Sequence, residues 1–550
     1  MKTRYLLSVA LLGLLAGSCT DLDVDVKSYY EEYPDNDIAV EAKAADAFFA
    51  FRGALGRRFD EGNSMNSDEY TGVSFDGDYL NSRDCANFSL HTIDYNNSKN
   101  QLNVYNDIMS GITKCNRVIS EVGGEDARNA ARLRAARAFY HFLLMDHWGD
   151  TPILNHVLEE DEAIDRSPRA EVAKWIEEEL LAVRDNCTDV VDKNSYGKPT
   201  CWMVDALLAK LYINWPVYTK NVTDAAWTYG TNEKLKDCIE ACNRIIESGK
   251  FALAGGDENP ALGSKSDFKM KFFYNNGPQI KDFIYAMPFD AVTQQGLTYA
   301  RFRTWRRGQN ANGLYSMEMT KSVGGNFALT PEFSALFNLP GDRRNDCIVG
   351  DGAAETFDVY QYDAETGDKT NVRNTYKDED VTFTRSITLK EGAESADLNT
   401  GANMKGWCQG YRSIKFFPNI DEYNTYNRNQ SNDVPIFRYA DILLMKAEAI
   451  TRGATDPKGE TAVSLFNQIR SYAGAPTLAA APTLQDIEDE RGREFLDEHW
   501  RRNDLIRFGH FERPWGFKTQ YGSNDPMMRL WPLSIDVLNV NTNWKQNPGY

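Results

Sequence analysis

Residues able to do chemistry fall into two kinds in this chain. The first is charged: Glu490-Arg491-x-x-Glu494, then Arg501-Arg502-x-Asp504-Leu505-Ile506-Arg507-Phe508-Gly509. Glu490 and Glu494 sit one helical turn apart, which leaves a catalytic reading open; a glycoside hydrolase needs only two carboxylates facing one bond, and nothing in the chain singles out such a pair. No loop opening to solvent flanks this cluster, so it also reads as a partly buried charge network locking helix packing; Arg438 with Glu448 reads the same way. The second kind is aromatic. Phe75, Asp76, Asp78, Tyr79 and Arg83 form one cluster; Tyr299, Arg301, Trp305, Arg306, Asn310, Asn312 and Tyr315 a second; Trp407, Tyr411, Tyr423 and Tyr426 a third. Planar rings beside amide, carboxylate and guanidinium groups suit a ligand with an apolar C–H face and a hydroxyl rim, such as a sugar ring. Any one of these rings also fits core filling; the clusters as sets fit a loop-borne binding surface.

Other chemistries have little to stand on. There is no GxSxG, HExxH or dinucleotide fingerprint, and the glycines of Gly256 to Lys265 are too far apart for a phosphate loop. Six histidines leave few imidazoles for a metal or a general base. Cys238 and Cys242 share a helix face and read as small core residues, so neither a metal nor a cofactor is expected. With 61 Lys plus Arg against 80 Asp plus Glu, the net charge is -19, which disfavours nucleic acid and other polyanions and favours a neutral ligand or a protein surface. A local basic patch at Arg301, Arg303, Arg306 and Arg307 runs against that trend.

The elements that must position these groups follow from periodicity. Lys2 and Arg4, the apolar run Leu6 to Ala16 and the Ala16-Gly17-Ser18-Cys19 site read as a lipoprotein signal over 1–18 with lipidation at Cys19; an ordinary secretory signal ending near a cysteine is the other reading. Residues 19–40 form an acidic tether, whose Asp21, Asp23, Asp25 and Glu32 mimic a calcium loop but with Val26 where the turn needs glycine. Helical spacing recurs at Glu41 to Asp60, Gln101 to Gly123, Asp126 to Trp148, Pro168 to Arg184, Cys201 to Tyr218, Asn232 to Ser248, Pro435 to Arg452, Lys458 to Ala473 and Leu484 to Gly509. Val104, Ile108, Ile112, Cys115 and Ile119 make one stripe, whereas Asp126 to Trp148 becomes apolar all round and must be covered on several sides. Neighbouring pairs with Ala206, Ala209, Ala241, Ala447 and Ala449 at close-contact points suggest tetratricopeptide-like helix pairs. The expected fold is therefore mainly α, one domain over 41–550, with a helical scaffold at 41–250 and 434–550. A loop-rich insertion over 251–433 carries short strands and a short helix near Pro331 to Asn338.

Six ordered motifs resemble the SusD/RagB-like outer-membrane lipoproteins: Ser67-Asp68-Glu69-Tyr70; Tyr105-Asn106-x-Ile108 with Asn116-x-Val118-Ile119; Arg134-Ala135-x-Arg137-Ala138-Phe139-Tyr140 ending in Trp148-Gly149-Asp150-Thr151-Pro152; Pro435 to Ala449; the Glu490 to Gly509 cluster; and Gln546-Asn547-Pro548-Gly549-Tyr550. That resemblance implies a non-enzymatic, lipid-anchored glycan-binding protein at the cell surface, a lid over a SusC-like TonB-dependent transporter that receives the captured glycan. It places aromatic platforms after the Ser-Asp-Glu motif and in the insertion, where this chain has Phe75, Asp76, Asp78, Tyr79 and Arg83, then Tyr299, Arg301 and Trp305. Where some relatives carry tryptophan after a Gly pair, this chain has Gly324-Gly325-Asn326. Rival readings are a protein-assembly lipoprotein whose loop aromatics close the core, and a glycoside hydrolase.

Overall fold

The computed structural model describes residues 37–74, 82–127, 129–222, 232–253, 268–298, 327–349, 358–362, 369–373, 375–376, 379–380, 383–393, 397–401, 406, 408–413, 415–416 and 418–550. The fold is mainly α, as the helical spacing requires. In chain order, α1 (Asp37–Phe48) and α2 (Arg58–Met65) precede the short strand β1 (Tyr70–Gly72) and α3 (Ser82–Leu90). The long pair α4 (Val104–Glu121) and α5 (Ala130–Trp148) follows, then α6 (Arg169–Val183), α7 (Cys201–Ile213) and α8 (Leu235–Glu247). The insertion contributes β2 (Phe283–Met287) and β3 (Phe327–Leu329). The chain returns through β4 (Val434–Arg438) to α9 (Tyr439–Thr451), α10 (Ala462–Ala473), α11 (Leu484–Glu494) and α12 (Arg501–Phe508).

Burial explains the stacking. The α4 stripe at Val104, Ile108, Ile112, Cys115 and Ile119 is buried against α5, and a Cβ on Gly111 would meet the Tyr140 ring at 2.7 Å, so the two helices approach at a glycine. α5 is buried nearly all round because α4 and α6 cover it from two sides. Helices α7, α8 and α9 pack in succession, with Ala206, Ala209, Ala241, Ala447 and Ala449 fully buried. Cys238 and Cys242 are buried here as core residues.

Several expected helices are not continuous: Glu41 to Asp60 is broken after Phe48 and Leu55, and Cys201 to Tyr218 at Asn214. Pro435 to Arg438 is strand, because its register partner is β2 (Val434↔Met287, Arg438↔Phe283), a pairing with the insertion that local periodicity cannot reveal. Leu484 to Gly509 breaks after Glu494, where Asp497 and His499 adopt positive φ of 62° and 59°; α12 then ends at Gly509 in the left-handed region.

The charged cluster is the joint between insertion and scaffold. Arg438 donates to Glu498 at 2.7 Å, Asp282 at 2.6 Å and Glu494 at 2.8 Å, and Glu494 also accepts from Arg344 at 3.1 Å. Arg344 further pairs with Asp342 and Glu490, each at 2.7 Å. Lys415 reaches the Glu494 and Leu496 carbonyls at 2.9 Å, and Lys271 pairs with Asp282 at 2.9 Å. Deeper in the helices, Asp441 joins Lys210 and Arg491, each at 2.7 Å, while Arg507 joins Asp504 at 2.6 Å and Glu448 at 2.9 Å. All of these groups are buried, so the reading of the cluster as a packing lock holds, and its carboxylates are saturated by cations rather than open to a substrate.

Candidate functional site

The first two aromatic segments of the sequence, and Tyr411 of the third cluster, adjoin one short ladder. β1 and β3 pair antiparallel with Gly72 opposite Phe327, so residue 74, where segment 75–81 departs, and residue 327, where segment 299–326 ends, lie at the same end of one ladder. Ser74 is also held by Thr400, whose N–H donates to the Ser74 carbonyl at 3.0 Å and whose hydroxyl donates to Gly406 O at 2.9 Å, bracketing residues 402–405. On the other flank, Leu329 N–H donates to Tyr411 O at 3.0 Å and Thr330 N–H to Glu69 O at 3.0 Å. The Gly72 amide donates to Ser89 Oγ at 2.8 Å, and a Cβ on Gly72 would stand 2.5 Å from that of Cys85, so only glycine lets β1 lie against α3.

The Ser67-Asp68-Glu69-Tyr70 motif fastens this ladder to the C-terminal helices. Asp68 takes both prongs of Arg501 at 2.7 and 2.8 Å, and Tyr70 donates to Asp497 Oδ1 at 2.8 Å while Ser413 binds the other oxygen. Glu69 is 1% exposed, and neither carboxyl oxygen has a hydrogen-bond partner among the described residues. Burial, reinforced by Asp497 and Asp68, pushes its pKa well above the ordinary carboxylate range.

Phe75, Asp76, Asp78, Tyr79, Tyr299, Arg301, Trp305 and Asn326 lie outside the described residues, as do Cys19 and the patch at Arg303, Arg306 and Arg307. Arg83 falls in the first turn of α3, with its side chain outside the described set. The third cluster requires correction. Tyr411 is 1% exposed under the Arg385 guanidinium, drawn into the core because its carbonyl pairs with β3, and Tyr423 is fully buried; neither offers a ring face to solvent. Tyr426 is exposed.

Two concavities were not legible in the sequence. A cleft of about 530 Å³ lies between residues 190–200 and 278–284, walled by Val190, Val191, Tyr196, Phe251 and Ile284. A smaller pocket of about 330 Å³ lies beside the N-terminus of α6. Among the described residues no group of three or more His, Cys, Asp or Glu is placed to hold a metal, and no helix is long and apolar enough to cross a membrane.

Stacked helix pairs carrying a loop-bearing insertion, locked by buried ion pairs, define a scaffold for presenting loops. The matching family models are the SusD family, over residues 281–550, and starch-binding associating with outer membrane, over residues 24–213. The chain belongs to the SusD family, as its motifs indicate. It is 23% identical over 592 residues to the starch-binding protein SusD of Bacteroides thetaiotaomicron, with 100% of each chain covered. It is also 23% identical over 444 residues to SusD-like protein P25 of Formosa agariphila, covering 77% of this chain and 74% of that one. Among solved structures, a laminarin binding SusD-like protein superposes with a TM-score of 0.66 at 19% identity, covering 94% of this chain and 100% of that one. Surface glycan-binding protein A from Bacteroides thetaiotaomicron in complex with laminarihexaose gives 0.64 at 17% identity, covering 93% and 99%. These structural likenesses establish the shared fold.

Proposed function

We propose that the protein is a non-catalytic, cell-surface glycan-binding lipoprotein, held in the outer membrane by lipid on Cys19. It captures a neutral oligosaccharide or polysaccharide and passes it to a SusC-like TonB-dependent transporter. The observation that carries this reading is that residues 74 and 327, which border the two segments holding Phe75, Tyr79, Tyr299 and Trp305, lie at the same end of the β1–β3 ladder. Rings at Phe75, Tyr79, Tyr299 and Trp305 stack on sugar C–H faces, while Asp76, Asp78, Arg83, Arg301 and Asn326 take the hydroxyls. The net charge of -19 favours a neutral glycan at this rim, and the starch- and laminarin-binding relatives favour a polysaccharide.

Calorimetry against a panel of plant, host and microbial polysaccharides tests it. Trp305→Ala and Tyr79→Ala are each expected to lose roughly 1 to 3 kcal/mol of binding with an unchanged melting temperature. Release of reducing ends during incubation, or binding untouched by both substitutions, would overturn the assignment.

A further inference from the structure

The pocket beside α6 contains a charge arrangement found in none of the locked joints above. Arg169, the first residue of α6, is 8% exposed and lines this pocket, yet among the described residues no carboxylate lies within ion-pair distance of it. Its guanidinium donates once, from Nη2 to the Lys220 carbonyl at 3.1 Å; Nε and Nη1 have no acceptor among the described residues. Its neighbour Arg166 is likewise satisfied only by neutral oxygens: Asp150 O at 2.8 Å, Lys545 O at 2.9 Å, Trp148 O at 3.3 Å and Asn547 Oδ1 at 2.6 Å. Burial lowers the pKa of Arg169 to about 10, a level at which it is still cationic near neutrality.

Arg344, Arg438, Arg491 and Arg507, buried like Arg169, are each matched by carboxylates, because an uncompensated buried charge is costly. Here Asp150 and Asp146 act on the guanidinium only at longer range, and the Oδ1 of Asp150, an exposed residue, accepts the Arg169 backbone N–H at 2.8 Å and so serves the helix start. The remaining wall mixes apolar residues, Pro168, Val222, Leu530 and Pro548, with polar ones, Thr219, Asn221 and Asn547. A volume near 330 Å³ is at the small end of ligand sites, about 300 to 1,000 Å³, and suits a single ring. A forked cation in a pocket lined by both C–H groups and amide or hydroxyl groups matches a carboxylate attached to a compact hydroxylated ring better than a bare inorganic anion.

We propose that this pocket binds a small organic carboxylate of one-ring size, in chemical terms a hexuronate, with Arg169 clamping its carboxylate. The site shares no residue with the β1–β3 rim, and the proposal stands whether or not the rim binds glycan. The overall negative charge does not decide the matter, since the pocket wall presents Arg169 and Lys220 against Asp150.

Titration of the full chain with glucuronate, glucose and inorganic phosphate, followed by calorimetry or ligand-observed NMR, tests the assignment. Glucuronate is expected to bind and glucose not to. Arg169→Ala should weaken glucuronate at least about tenfold, and Arg169→Lys, which keeps the charge but loses the fork, by less. Val222→Trp, which fills the pocket and leaves Arg169 in place, should also abolish binding, so the inference is testable even where the Arg169 variants fold poorly. Equal affinity for glucose, phosphate binding as tightly as glucuronate, no glucuronate binding, or binding unchanged in a folded Arg169→Ala would each overturn it. Polysaccharide retardation in affinity gels, measured on the same variants, is expected to be unchanged, which separates this site from the rim.

Discussion

The joint at α9, α11 and α12 and the platform at β1 and β3 are built from opposite materials. In the joint, each buried ion has several partners: Arg438 bonds Asp282, Glu494 and Glu498, and Glu494 in turn holds Arg344. In the platform, a three-residue ladder is held mainly by backbone bonds and a few hydroxyls, with a single ion pair, Asp68–Arg501, fastening its edge. A multiply bridged ion cannot move a little, because any shift strands several charges at once, so the joint sets the geometry of the frame. Backbone anchors, by contrast, are indifferent to the side chains beyond them. A rim built this way can change its rings and polar groups without disturbing the frame, which suits a surface whose specificity resides in loops.

The largest effect expected from this contrast is at Glu494. Glu494→Gln keeps the shape but removes the charge shared by Arg344 and Arg438, and should cost about 3 to 5 kcal/mol. The measurement is urea unfolding, with a lower midpoint at unchanged slope. A loss below about 1 kcal/mol would mean that the joint is no stiffer than the platform.

The second contrast is in the sign of the pH response. Burial alone would raise the pKa of Asp441, but Lys210 and Arg491 outweigh it and hold the carboxyl at about 2. Its folded pKa is below the unfolded value near 3.9, so its contribution is present above about pH 4 and is lost as pH falls toward 2. From this residue alone that is on the order of 2 to 3 kcal/mol. Glu448, Asp504 and Glu494 are also held below the ordinary range, against burial, by the arginines they face. Glu69 in the platform has the opposite sign: its folded pKa is raised, so its contribution is full below about pH 4 and is lost as pH rises above it. Unfolding free energies measured from pH 2 to 8 should therefore show Asp441→Asn converging on the wild type at the acid end. Glu69→Gln should gain on the wild type as pH climbs. If both variants tracked the wild type in parallel, the two regions would not differ electrostatically.

What the sequence made legible follows the same division. Long helices such as α4 and α5 announce themselves through a stripe or an all-round apolar face, and the Glu490 to Gly509 cluster reads as a packing lock because charges at helical spacing without an opening to solvent need partners nearby. Which partners is another matter: Arg344, Lys415 and Asp282 come from the insertion, and no local pattern ties them to Glu494 or Glu498. The same long-range blindness turned Pro435 to Arg438 into helix, since β2 supplies the edge that makes it strand. Tyr411 looked like a platform beside Trp407 until its pairing with Leu329 placed it in the core. The Arg169 pocket had no signal at all, because the lack of a carboxylate partner is a property of the packed chain.

The smallest expected change in stability tests the platform most directly. The Thr400 hydroxyl donates to Gly406 O at 2.9 Å and lies 3.3 Å from Ser74 O, while its amide holds Ser74 independently. Thr400→Val preserves volume and the amide bond, so urea unfolding should shift by no more than about 1 kcal/mol. Polysaccharide affinity should nevertheless fall several-fold, because this hydroxyl ties residue 406, at the foot of segment 402–405, to the point where segment 75–81 departs. A loss of stability larger than the loss of affinity would place Thr400 in the frame. Unchanged affinity would show that the segments do not depend on the ladder that joins them.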